Sequence, residues 1–436
     1  MESDSQSELH NWCGVLNSCR AKKCSVSKVA IFMSAMIASL TGVRHRKENN
    51  PAGGAAMGRE ILTSDIIVIG AGIAGLSAAA ELAADARVTV LEMEPQPGYH
   101  ASGRSAAYYA AAYGKKIIRD ITASCESFLR DPPDGFTDVE LFRPRDCMFF
   151  GREDQAGALE KIQADNPRLQ FVDARAVCER VSVLSPDYIY GAMWDEKGGD
   201  LDVDALLQGY LRQLRRRGGL FLPNHGVNGL QKTAAGWKVT AGSEQFTAPI
   251  ILNAAGAWVE RVAAMAGLAS LGIQPLRRTA LTIDPPGGVA HRDWPEMIDA
   301  DEAFYFKPDA GQIMISPADE TPSEPCDAQP EEIDVATGVY RFEQATGLDV
   351  RRVNHSWAGL RTFTPDRVFV AGFDPRAQGF FWLAGQGGYG VQSSPAMARL
   401  TRYLITGTEP EGDFAVLKTY QDEVAPDRLI SAGENE

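Results

Sequence analysis

The chain alternates between short unbroken apolar runs and glycine-rich breaks. Residues 66–69 read Ile-Ile-Val-Ile, a run of strand length. The break Gly70-Ala71-Gly72-Ile73-Ala74-Gly75 follows at once, and a run of small residues over 76–84 predicts a helix. Residues 87–91, Arg-Val-Thr-Val-Leu, predict a second buried strand that ends at Glu92. Further along, Ile250-Ile251-Leu252 leads into Asn253-Ala254-Ala255-Gly256-Ala257-Trp258. Later still, residues 380–385 lead through Gln386-Gly387-Gly388-Tyr389-Gly390-Val391-Gln392 into a predicted helix reaching Ile405. The fold class expected is α/β.

The first of these units carries chemistry. Strand, G-x-G-x-x-G, helix, strand and acid together form a dinucleotide fingerprint. Gly70 allows the tight turn, Gly72 lets a pyrophosphate approach the backbone, and Gly75 lets the helix pack close to the sheet. Ile73 and Ala74 open the helix, whose free N–H groups and dipole favour an anion. Glu92 stands 20 residues beyond Gly72, where an acid bonds the ribose hydroxyls and disfavours a 2′-phosphate. FAD and NAD both satisfy this pattern. The loop over residues 93–104 and the small-residue segment 105–113, a helix start or an extended stretch, favour a backbone passing close to a flat ring. Three glycine-rich strand ends on one chain favour FAD. The last of them, read as a second glycine-rich helix start, would place N–H groups at the flavin pyrimidine edge.

Charge and cysteine content narrow the setting. The net charge is −14 over 436 residues. Residues 1–60 hold 5 acids and 8 Lys/Arg, so the remainder holds 52 acids against 35 bases, or −17. That excludes nucleic acid and anionic membrane as partners of the main body. Seven cysteines with no C-x-x-C point to reduced thiols in a cytoplasmic protein, with neither a disulfide framework nor a metal site. Residues 1–60 differ from the rest: a basic stretch precedes an apolar one over 29–43, too short to span a bilayer. They are expected to lie outside the fold, as a mis-called start with the true one at Met57, a targeting extension, or a peripheral anchor at the inner face of the membrane.

The chain from about residue 60 to 428 resembles the FAD-dependent D-amino-acid oxidase and glycine oxidase superfamily, and within it the bacterial catabolic D-arginine dehydrogenases. The likeness is carried by Val68-Ile69-Gly70-Ala71-Gly72-Ile73-Ala74-Gly75, Gln96-Pro97-Gly98-Tyr99-His100, Gly103-Arg104-Ser105-Ala106-Ala107, Asn253 to Trp258, the run Phe304 to Gly311, Trp357-Ala358-Gly359-Leu360-Arg361, and Gln386 to Gln392. The resemblance implies a Rossmann-type FAD-binding domain assembled from residues 61–140, 200–275 and 355–430. A substrate domain on an antiparallel sheet is then inserted over 141–199 and 276–354.

By position, the resemblance implies that Ser102, Gly103, Arg104, Ser105 and Ala106 line the pyrophosphate and flavin. Met93 and Val227 should sit toward the adenosine, and Ala255, Gly256 and Trp258 beside the cofactor. Gly387, Gly388, Tyr389, Gly390, Val391 and Gln392 should cover the pyrimidine edge. No cysteine stands near Gly385, so the FAD is expected to be non-covalent. Arg278 and Arg361 match the arginines that hold a substrate carboxylate, an anion suited to a guanidinium fork. Read alone, Arg278 beside Arg277 is a tandem surface pair. Tyr113 and Tyr305 match tyrosines of the site wall, and Gln392 and the Gly388 carbonyl match groups near the substrate amine.

The activity implied is oxidation of the Cα–N bond of a D-amino acid, with O2 or a quinone-type carrier as acceptor. The alternative within the same fold is a secondary-amine or imino-acid oxidase or dehydrogenase of the sarcosine or D-proline kind. Two positions depart from the D-arginine dehydrogenase pattern. Tyr108 replaces its active-site histidine, with a role in shape and hydrogen bonding. Cys147 replaces the glutamate that would face a guanidinium, and this predicts preference for neutral or apolar D-amino acids.

Overall fold

The computed structural model describes residues 61–287 and 289–433. The expectations for residues 1–60 lie outside them.

The fingerprint folds into a six-stranded sheet. Its order is Leu220–Leu222, Val88–Leu91, Ile66–Ile69, Ile250–Asn253, Phe380–Ala384 and Val370–Phe373. All pairs are parallel except the last, which is antiparallel. Parallel strands are covered on both faces, so they read as unbroken apolar runs. One face packs against a layer of helices that includes Ile73–Leu82, Val203–Arg216 and Ser394–Thr406. The other shares a core with a small sheet of Leu62–Thr63, Val227–Thr233, Gly236–Ala241 and Glu244–Ala248. Sheet neighbours come from three widely separated stretches of sequence, as a discontinuous Rossmann-type layer requires.

A second, nine-stranded sheet places its long strand Gln274–Ile283 against Val353–Phe363 along almost its whole length. It is antiparallel except where Glu296–Asp299 runs parallel to Cys147–Gly151. Its outer face packs Met148, Phe150, Leu281, Phe306 and Ile313 against helices such as Glu332–Thr346. The opposite face carries Cys147, Phe149, Ala280, Ile298 and Tyr305.

Two local readings are settled, the first in favour of the extended alternative and the second as a turn leading into a helix. The segment 105–113 starts no helix: Tyr108–Tyr109 forms a two-residue strand against Gly199 and Asp200, after Ala107 at φ 56°. The glycine-rich stretch 385–392 is a run of turns, and its helix begins only at Ser394. Gly385 and Gly387 hold φ of 72° and 51°, outside helical geometry, and their side-chain directions would meet Thr364 and Phe363.

Candidate active site

The glycines of the fingerprint are fixed by the backbone around them. At Gly70, φ is 100° and a Cβ would lie 2.6 Å from the Ala254 carbonyl oxygen. At Gly75 a Cβ would lie 2.0 Å from the Gly70 carbonyl oxygen. Gly75 is therefore a packing residue. At Gly72 a Cβ would touch only Ser102 Oγ, at 3.4 Å, so the protein itself leaves room there. The backbone N–H of Ile73, first in the helix, donates to Ser102 Oγ at 2.9 Å.

These residues open onto one long cavity that encloses about 1910 Å³ of empty space, mouth included. Gly70, Gly72, Ile73, Ala74, Glu92, Met93 and Val227 line it. So do Ser102, Arg104, Ser105, Ala106, Ala255, Gly256 and Trp258, followed by Gly387, Gly388, Gly390, Val391, Arg278, Tyr305 and Arg361. Candidate residues from nine separate stretches of sequence therefore meet in one place. Glu92 is buried at one end. Its two carboxylate oxygens accept from the N–H groups of Ala71 (2.6 Å) and Glu94 (2.9 Å). Burial raises its pKa, and the two N–H bonds oppose that rise. Each oxygen keeps a lone pair for a ribose hydroxyl. A glycine cradle at a helix N-terminus, an acid one strand over and a long cleft fit FAD. Gly72, Ile73 and Ser102 would hold its pyrophosphate and Glu92 its ribose.

Several expected residues stand elsewhere. Gly75, Gly103, Tyr389 and Gln392 do not line the cavity. Gln392 is 3% exposed and its amide is fully engaged: Oε1 accepts from Ala110 N–H (2.9 Å) and Nε2 donates to Thr122 Oγ1 (3.1 Å). It braces the turn and is not free to meet an amine. Arg104 lines the wall, but its guanidinium turns away, donating to the carbonyls of Ala328 (2.8 Å) and Ala358 (3.0 Å) and to Asp327. Its charge is thereby spent on the segment around residue 327. Tyr108 donates to the Arg145 carbonyl (2.7 Å), and burial pushes its phenol well above the usual range, which suits bracing and not proton transfer. Tyr113 donates to Glu302 (2.6 Å) with its ring 5.2 Å from that of Tyr389.

The two arginines differ sharply. Arg278 is no surface residue: its side chain is 9% exposed. It is already neutralised, donating to the Asp319 carbonyl (2.8 Å) and to Glu320 (3.1 Å). Glu320 also takes two bonds from Arg367. Arg361 points into the cavity, donating weakly to the Tyr305 hydroxyl at 3.4 Å. Among the described residues no carboxylate lies within ion-pair distance of it. Gly388 packs on this guanidinium, since a Cβ there would sit 2.9 Å from Nη1.

One residue escaped the sequence reading. Glu296 lies in register beside Cys147, is 4% exposed, and its Oε2 has no hydrogen-bond partner among the described residues. Burial pushes its carboxyl up to about 8, while Lys307, Arg361 and Arg145 pull it down. Its setting, Trp294-Pro295-Glu296-Met297, carries no motif that would have singled it out.

Comparison with known proteins agrees with the cofactor site. FAD-dependent oxidoreductase domain-containing protein 1 of Xenopus laevis is 28% identical over 197 residues, 40% of this chain and 37% of that protein. The chain thus spans well under half of that relative's length in the match. Gamma-glutamylputrescine oxidoreductase of Escherichia coli (strain K12) is 27% identical over 399 residues, 83% of this chain and 88% of the relative. The crystal structure of L-proline dehydrogenase from P. horikoshii superposes with a TM-score of 0.73 at 20% identity. It covers 86% of this chain and 99% of that one, a likeness of fold. Among the described residues no helix is long and apolar enough to cross a membrane. The DAO family model, described as FAD dependent oxidoreductase, matches residues 65–404. With nearly four fifths of the whole chain inside that match and a cleft built for the cofactor, the protein belongs to the DAO family of FAD-dependent oxidoreductases.

Proposed function

We propose that the protein oxidises the Cα–N bond of a D-amino acid to an imino acid, which water hydrolyses to a keto acid and ammonia. The observation that carries this is Arg361: a guanidinium in the cavity, beside Tyr305, with no carboxylate of the described chain to answer it. A half-buried cation lining a cleft without a carboxylate partner is an anion site, and a substrate carboxylate supplies the missing partner.

The chain's own part is positioning. Arg361 and Tyr305 fix the carboxylate, and the Gly388 carbonyl accepts from the amine. Together they hold Cα over the site. FAD, when bound, would supply the two-electron acceptor for the hydride that leaves Cα. As that hydride leaves, the nitrogen lone pair forms the C=N bond and the amine proton passes to solvent. The resemblance at Arg278, Tyr305 and Arg361 supports the D configuration, and the absence of a cysteine near Gly385 supports non-covalent FAD. Arg278, held by Glu320, shapes the clamp from behind. O2 or a quinone-type carrier takes up the electrons.

Incubation of the full chain with D-amino acids and an artificial electron acceptor is expected to yield keto acid and ammonia in equal amounts. Turnover confined to N-methylglycine or a cyclic imino acid would instead assign it to secondary amines. Tyr305→Phe removes the hydroxyl that helps hold the carboxylate, a charge-assisted bond of roughly 1.5–3 kcal/mol, so steady-state kinetics should show a loss of kcat/KM of about 10- to 100-fold.

A further inference from the structure

The face of the nine-stranded sheet that bears Tyr305 continues past the carboxylate clamp. Met297 pairs with Phe306 and Ile298 with Tyr305, while Glu296 pairs with Cys147 and Ile298 with Phe149. Side chains alternate along strands, so Tyr305, Ile298, Phe149, Cys147 and Glu296 share that face. Glu296 is one cross-strand diagonal from Tyr305, a span of ~7–8 Å. Ile298 stands beside Tyr305 and Lys307 opposite Glu296, with Phe149 on the strand beyond.

We infer that Glu296, buried one diagonal beyond Tyr305 and just behind the wall of the open cavity, is the group that selects amino acids whose side chain ends in an ammonium or guanidinium. The inference rests on the proposed seating of the α-carboxylate at Arg361, and it replaces the preference for neutral side chains expected from Cys147. The thiol there is buried and neutral, but the strand beside it supplies the acid. Nothing in the described chain satisfies that acid. Lys307, opposite it, donates to Asp200 at 2.7 Å, and Arg145 donates to Asp200 at 2.7 Å and to the carbonyls of Arg292 and Trp294. Neither bonds to Glu296. Burial without a partner holds this acid toward its neutral form, and a cationic ligand would supply the donors that favour the ionised one. A side chain of four or five bonds, seated by its carboxylate at Arg361, spans the distance from Tyr305 to Glu296 alongside Ile298, whose apolar surface suits its methylenes, while Lys307 is turned to Asp200.

The test compares ε-aminocaproate with caproate, two carboxylates that lack an α-amine and so cannot be oxidised. Their dissociation constants are read from the shift each causes in the flavin absorbance of the holoenzyme. The wild type should bind ε-aminocaproate ~10- to 100-fold more tightly, and Glu296→Gln, which keeps the shape and removes the charge, should abolish that preference. Equal affinities in the wild type, no binding of either, or an unchanged ratio in Glu296→Gln overturns the inference. Anaerobic flavin reduction by D-lysine and D-norleucine then separates the two ideas. A preference for D-lysine that Glu296→Gln erases supports both. A binding preference with no oxidation of either amino acid leaves Glu296 as a cation site and overturns the proposed reaction.

Discussion

Replacing Arg361 by methionine is expected to lower kcat/KM by ~10²- to 10⁴-fold while the protein stays yellow. A bidentate guanidinium–carboxylate pair makes two charge-assisted bonds of roughly 1.5–3 kcal/mol each, and each 1.4 kcal/mol is a factor of about ten. The carboxylate also fixes where Cα sits, so kcat should fall along with apparent affinity. Arg361 lines the substrate end of the cavity and its guanidinium bonds to Tyr305, so FAD content is the control. Arg278→Met should cost far less, because Glu320 already answers that charge and keeps Arg367 afterwards. Steady-state kinetics on the two variants decides the point: equal losses would show that both arginines grip the substrate.

Gly72→Val is expected to give a folded, colourless protein whose FAD affinity falls by at least about 100-fold. Within the chain, a Cβ at residue 72 meets only Ser102 Oγ, at an ordinary contact distance. The bulk is therefore felt by the pyrophosphate that must approach this backbone, and a displaced phosphate loses several charge-assisted bonds. Gly75→Ala is the contrasting case. Its Cβ would lie 2.0 Å from the Gly70 carbonyl oxygen, so the strand–helix junction itself must move, and lowered thermal stability is expected even without FAD. Flavin absorbance and thermal unfolding together separate the two effects. A Gly72→Val protein that keeps its flavin would place the cofactor elsewhere.

The parts of this site that were legible in the sequence are those set by local spacing. Gly70, Gly72, Gly75 and Glu92 follow from turn geometry and from one strand–helix–strand unit, and the cavity gathers three of the four. The parts that were not legible depend on which distant segment lies opposite. The tandem Arg277 and Arg278 look like a solvated pair because nothing local announces Glu320, 42 residues later. Gln392 sits in a glycine-rich segment beside the site, but its amide is drawn away by Ala110 and Thr122, some 270 residues earlier. Cys147 reads as the loss of an acid until the parallel pairing with Glu296 is known, and parallel register between remote strands leaves no mark on either one. The strand, glycine-rich turn and helix over 380–405 are legible because glycines mark the turn and an apolar-periodic run follows it. Positive φ at Gly385 and Gly387 decides for the turn.

The most direct test of the central claim is anaerobic mixing of the full-length holoenzyme with a panel of D- and L-amino acids and with amines that lack an α-carboxylate, watching the flavin absorbance. The account predicts bleaching by D-amino acids alone. Bleaching by amines without the carboxylate, or by L-amino acids only, would contradict it: the first outcome would remove Arg361 from its role as the carboxylate anchor, and the second would reverse the configuration of the substrate.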